Sequence, residues 1–352
     1  MVNNTTLNAL SQQDFSQWFA RDIFFAVKPV IIGVILGIGV LGIIGNILTI
    51  LVYVKMGFSE TIHMSYITLA VSDIGNIVFV MWSTICTTPI IHLLFSQFRI
   101  TTDPDMFASF TGAWPAQAFS KTTGLITAWI SIERCLCVVF PIEVKLMITR
   151  SVTKFVLITL FLFGCAPVAF AFFGCTFEWR LDPLRNETRL FMFEGNLKTL
   201  NPLNQYAFTL YGVVYPVFSW ITVTLCTAFL IAKLRKSARW RKKHLNVPAN
   251  ETPEGNQRSE RSEIFLRTSH VTKMNIAIAS VFILCSLINS IILLLSSFTD
   301  EFFFYGRLRY LFYLSALIAF LMSETNSSVN IIVFAVMGKR FRTTLKQIVL
   351  RK

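Results

Sequence analysis

Seven stretches of the chain, roughly 28–54, 62–88, 107–132, 152–174, 205–232, 274–298 and 308–337, are apolar enough to cross the hydrocarbon core of a bilayer. Crossing takes about 20 residues of helix. An isolated strand in lipid would leave its backbone polar groups unpaired, so every span is expected to be helical. Composition agrees, with 54% hydrophobic residues, 14% charged and 34 Phe. The expected fold is all-α, a bundle of seven transmembrane helices, and an odd number of crossings puts the two termini on opposite sides.

The basic residues orient the bundle, because short translocated loops are poor in Lys and Arg. With the amino terminus outside, the segments assigned inside carry a net charge of +14 and those assigned outside −1, while the three bases and three acids in or at the spans cancel. The net charge of +13 is therefore a topology signal. It does not mark a nucleic-acid binder, because the charge sits in loops between spans. Met1 to Arg21 is polar and lacks the charged, apolar, small-residue order of a cleavable signal, so the first span is expected to direct insertion.

The chain then divides into an extracellular segment 1–27, a membrane domain 28–337 with a polar inner loop 234–270, and a cytoplasmic tail 338–352. Glycosylation sequons at Asn3, Asn4 and Asn186 fall on the outer side. The outer loop 175–204, with its charges, Pro183 and Pro202, is expected to form an exposed lid. In the tail, Phe341, Leu345 and Ile348 recur at helical spacing among bases, the pattern of a short amphipathic eighth helix lying on an anionic inner leaflet. Of seven cysteines, only Cys86 and Cys175 lie near the oxidising face, where one disulfide could link them.

Polar residues inside spans carry the functional information, because each is costly in lipid unless partnered. Asn46 in the first span, Asp73 in the second, Thr122 and Thr123 in the third, and Asn326, Ser327 and Asn330 in the seventh could close one buried cluster around a water or small cation. The plainer alternative is a set of separate helix-packing contacts. In the third span, Gly112, Ala113, Ala116, Gln117, Ser120 and Lys121 fall at helical spacing and could wall a pocket or pack closely against neighbours.

At the third span's inner end stands Glu133-Arg134-Cys135, with Pro141 seven residues after the arginine. Gly45-Asn46 marks span one, Leu69-Ala70-Val71-Ser72-Asp73 span two, Pro216 span five, and Asn326 to Asn330 followed by Gly338-Lys339-Arg340-Phe341-Arg342 span seven. In that order the motifs resemble the rhodopsin-like (class A) G-protein-coupled receptors over about 42–342. The resemblance implies a plasma-membrane receptor that signals from an extracellular ligand to a heterotrimeric G protein. It implies that Glu133 holds Arg134 at rest and that Arg134 reaches toward the G protein when the sixth helix swings out. Asp73, Thr123, Asn326, Ser327 and Asn330 then correspond to a sodium-and-water pocket, and Asn46 to the asparagine bridging helices one, two and seven. No other cofactor is implied.

Departures from that pattern are specific. Ser109 stands where the family has its third-helix disulfide cysteine, Thr224 where a fifth-helix tyrosine is common, and Cys285-Ser286-Leu287-Ile288 where the sixth helix has Cys-Trp-x-Pro. Ile331 and Phe334 replace the usual seventh-helix Pro and Tyr. Without those prolines helices six and seven should be straighter than usual. Ala116 occupies the position of the acid in amine receptors, and Glu324 that of the retinal lysine, which disfavours both ligand classes. Such erosion on an intact scaffold suits an expanded invertebrate family of chemosensory or peptide receptors.

Lys121 and Glu324 are the remaining charges within spans, and either pair across the bundle or meet opposite charges on a ligand. The ligand-contact candidates are therefore Ala116, Gln117, Ser120, Lys121 and Glu324. No hydrolase or phosphate-loop motif appears, and no His-Glu-x-x-His metal site, so an enzyme is not expected. A transporter or channel, with Asp73, Lys121 and Glu324 along an ion path, is the rival from another class.

Overall fold

The computed structural model describes residues 4–58, 60–140, 143–182, 187–193, 201–244, 272–292, 295, 301–302 and 307–350. Seven helices in it are long and apolar enough to cross a membrane: Arg21–Met56, Thr61–Cys86, Pro104–Val139, Arg150–Gly174, Pro202–Lys236, Thr272–Ile292 and Arg309–Met337. The first span packs against the second and seventh, and the third is the hub, touching the second, fourth and fifth. Large apolar side chains cover the outside of the bundle: Leu41, Phe155, Leu162, Leu225 and Leu284 are each at least 66% exposed. A surface this apolar and continuous is a surface for lipid.

Small residues set how closely the helices approach. A Cβ added to Gly112 would stand 2.9 Å from the backbone of Ser83 on the second span, and one on Gly164 would stand 3.2 Å from the Cα of Thr122 on the third. Two π-helical turns, Ser109–Ala113 and Leu210–Val214, interrupt the third and fifth spans. Each ends just before a proline, Pro115 or Pro216. Proline has no N–H for the regular ladder and its ring crowds the preceding turn, and a wide turn relieves both. The seventh helix has no proline and runs unbroken for 29 residues.

Two segments expected to be irregular are ordered. The first helix already starts at Asn4, since 4–28 has no Gly or Pro to stop it. The fifth helix continues to His244, eleven residues into the expected inner loop, because six of those eleven are Lys or Arg, which favour helix. The rest of that loop up to residue 271, with Asn3 and Asn186, lies outside the described residues, and of Asn4 only the backbone is described. The outer loop holds an antiparallel hairpin of β1 (Thr176–Asp182) and β2 (Glu187–Phe193). Leu190 N–H donates to the Thr101 carbonyl at 2.9 Å, tying the hairpin to the approach of the third span.

No disulfide joins Cys86 to Cys175 in this structure, which corrects the expected staple. Cys86 lies one turn after Ser83, on the face packed against the third span, and is only 2% exposed.

At the inner end, the helix Lys339–Val349 follows Gly338. Phe341 is buried against Tyr53 and Phe334, with ring centroids 5.5 and 5.6 Å apart, and Tyr66 packs on Phe334 at 4.9 Å. Arg342 Nη1 donates to the Val336 carbonyl at 2.7 Å, satisfying an open group at the end of the seventh helix. Phe341 thus anchors the tail in the bundle instead of in the leaflet, and Leu345 and Ile348 pack beside it.

Candidate functional site

Asp73 is fully buried. Thr123 Oγ1 donates to its Oδ1 at 2.9 Å and Asn330 Nδ2 to its Oδ2 at 2.8 Å, so three helices meet on one carboxylate. Asn46 Nδ2 donates to the carbonyls of Gly42 and Ser327, each at 2.9 Å, joining the first span to the seventh. Asn76 Nδ2 donates to Ser327 Oγ at 3.1 Å. Ser323 Oγ lies 3.2 Å from Asn76 Oδ1 and 3.3 Å from Ser120 Oγ. Of the seven residues expected in the cluster, five (Asn46, Asp73, Thr123, Ser327 and Asn330) are brought together, while Thr122 donates to the Ala118 carbonyl at 2.9 Å and packs against Gly164 of the fourth span. The cluster extends through Asn76 and Ser323, one turn from Asp73 and Ser327 respectively, which same-face spacing alone would have pointed to.

Asn326 belongs elsewhere. It lines a cavity among the third, fifth, sixth and seventh spans. The third span contributes Ser120, Lys121 and Gly124, and the fifth Tyr215, Pro216 and Ser219. Phe282, Cys285, Ser286 and Asn289 come from the sixth, and Ser323 joins Asn326 from the seventh. Ser323, touching both Ser120 and Asn76, connects the cavity floor to the Asp73 cluster.

The other ligand-contact candidates separate. Ala116 packs with Ile35 and Val80 on the side of the first and second spans, and Gln117 is not part of the cavity wall. Gly112 likewise packs against Ser83. For Ala116 and Gly112, close helix packing is the right reading. Glu324 is fully buried, but its Oε1 lies against Gly39 of the first span, and neither carboxylate oxygen has a hydrogen-bond partner among the described residues. One residue of helix turns a side chain by about 100°, so where Ser323 faces the cavity Glu324 faces away. Lys121 and Glu324 therefore neither pair nor share a pocket. Nor do Asp73, Lys121 and Glu324 line one path, as an ion route through them would require.

At the cytoplasmic end of the third span as oriented by charge, Glu133 is fully buried. Thr61 Oγ1 donates to its Oε1 at 2.5 Å and Ser65 Oγ to its Oε2 at 3.2 Å. Arg134 Nη2 lies 3.4 Å from the same Oε1. Its Nε has no hydrogen-bond partner among the described residues. The acid is thus fixed to the second span by two hydroxyls, with the arginine beside it.

One further contact was not foreseen. Trp220 Nε1 on the fifth span donates to Ser286 Oγ on the sixth at 2.6 Å, and Ser286 in turn donates to the Phe282 carbonyl. Ser286 stands where the sixth-helix tryptophan was missed, so here an indole from the fifth helix contacts that position.

The fold is a seven-helix bundle with a buried acid–arginine pair at one end and a cavity among four of its spans. A search of curated proteins gave no match. The sequence model of the family described as serpentine type 7TM GPCR chemoreceptor Srx matches residues 37–252, more than half of the chain, including all of the third and fourth spans. By that match the chain belongs to the serpentine 7TM GPCR chemoreceptor Srx family, and it is a chemosensory G-protein-coupled receptor, not an enzyme or a transporter.

Proposed function

We propose that this chemoreceptor works by rhodopsin-like mechanics from the plasma membrane, with its amino terminus outside, and that Arg134 is its coupling residue. The observation that supports this is the buried Glu133, clamped by Thr61 and Ser65, with Arg134 beside it at the end of the bundle where the basic helix Lys339–Val349 packs. In the resting state Glu133 holds the guanidinium. Outward movement of the sixth helix, released from its Trp220–Ser286 contact, opens the inner end, and Arg134 turns toward the G protein. A small chemosensory molecule in the cavity among spans three, five, six and seven biases that equilibrium by binding one arrangement more tightly than the other.

Asp73, with the oxygens of Thr123, Ser327 and Asn330, supplies the hard oxygen donors that a sodium ion takes. Sodium held there would favour the resting state, because it draws the second, third and seventh helices onto one charge.

Nucleotide exchange on co-expressed heterotrimeric G proteins tests the coupling role. Arg134→Ala should abolish stimulated exchange while surface expression stays at the wild-type level, and Glu133→Gln should raise basal exchange. Undiminished signalling by Arg134→Ala at equal surface expression would refute the assignment.

A further inference from the structure

The cavity has a charge that no described residue answers. Lys121 is 7% exposed and among the lining residues. It lies thirteen residues before Arg134, or roughly 20 Å from the inner end of the third span at 1.5 Å per residue. That places its ammonium inside the hydrocarbon layer, where a cation needs a partner. Among the described residues it has no ion-pair or hydrogen-bond partner. No aspartate or glutamate is among the described lining residues, and Glu324, the acid of the seventh span, faces Gly39. The rest of the lining is neutral and rich in groups able to donate hydrogen bonds, notably Asn289, Asn326, Ser219 and Ser323, with Phe282 and Pro216 as its apolar part.

Building on the reading of this cavity as the chemosensory site, we propose that its ligand is a small organic anion whose carboxylate sits on Lys121. The amide and hydroxyl groups take its remaining lone pairs, and a short hydrocarbon portion lies against Phe282 and Pro216. Size points the same way. The cavity and its mouth hold about 430 Å³ free of protein atoms. A compact head group fits; a bulky peptide does not. Selectivity follows from the unanswered charge. An amine would add a second buried cation, and a neutral amide or ester would leave the ammonium without a counter-charge.

The test uses the full-length purified receptor and a panel of short straight-chain carboxylates, each with the primary amide and the amine of the same chain length. Binding is read as a concentration-dependent rise in melting temperature, and coupling separately as nucleotide exchange. At least one carboxylate should bind about tenfold or more tightly than its amide, and Lys121→Gln should remove that preference. Lys121→Glu should move the preference to the amine, a gain that misfolding cannot produce. Equal binding of acids and amides, no acid binding at all, or an acid preference that survives in Lys121→Gln or Lys121→Glu would overturn the proposal. Acids that bind through Lys121 without stimulating exchange would leave the ligand class standing and sink the coupling reading. Exchange driven by neutral compounds alone would do the reverse.

Discussion

Asp73 shows how a single buried residue is tied into the bundle. Each carboxylate oxygen receives one donor, from Thr123 and from Asn330, at 2.9 and 2.8 Å. Removing one donor leaves a buried acceptor without its partner, which costs about 1–3 kcal/mol. Thr123→Val, nearly the same shape without the hydroxyl, should lower the melting temperature of the purified receptor, and Thr123→Ser should restore most of it. A melting temperature unchanged in the valine variant would mean that the hydroxyl is not what satisfies Asp73. The proposed sodium site makes a separable claim. Replacing sodium by choline should lower the wild-type melting temperature and leave Asp73→Asn unaffected. Equal responses of the two proteins would remove sodium and keep the hydrogen bonds. The family resemblance made Asp73, Asn330 and Asn46 legible in the sequence. Whether Lys121 and Glu324 meet was not legible, because it depends on the rotation of two helices about their own axes, and an error of one residue in helical phase turns a side chain from the cavity to the first span.

At the scale of helices, hydropathy located all seven spans, because a lipid-facing surface must be apolar whatever the tertiary structure. The hairpin has a period-two signal in β1, where Phe177, Trp179 and Leu181 alternate strictly with polar neighbours, against the charges, sequon and prolines of the loop that point to an irregular lid. The two π turns had a visible cause in Pro115 and Pro216, but proline announces a disturbance without saying which kind. Helix contacts were the least legible level, since a small residue marks either a close approach or nothing. Glycines in one structure separate the two cases. A Cβ on Gly112 meets Ser83 side chain and backbone at 2.7 and 2.9 Å, while one on Gly37 meets nothing within 4 Å. Gly112→Ala must push two helices apart and should destabilise by about 1–3 kcal/mol. Gly37→Ala adds only helix propensity and should stabilise by up to about 1 kcal/mol. Thermal denaturation of the two variants side by side checks this, and a Gly112→Ala receptor as stable as wild type would show that the second and third spans are not in close contact there.

For the whole molecule, one quantity in the sequence acts at a distance from every contact described above: the difference between +14 on one side of the bundle and −1 on the other. Packing cannot orient the receptor, because the same seven helices would pack as well if the bundle were inserted upside down. Orientation is decided at insertion, by which short loops resist translocation. The basic helix Lys339–Val349 and the basic end of the fifth helix, running to His244, lie on the same side as the Glu133–Arg134 pair. The charge read as orienting the chain is therefore concentrated at the end of the bundle proposed to meet a G protein, and a reversed chain would present that end to the outside. An epitope tag placed after Met1 should accordingly stain intact cells, and one after Lys352 only permeabilised cells. Replacing Lys233, Arg235 and Lys236 together with the bases of the last helix by glutamine should weaken that bias and yield a mixed population. The opposite staining in the unmodified receptor would place Arg134 outside the cell, and no G protein could then be reached through it.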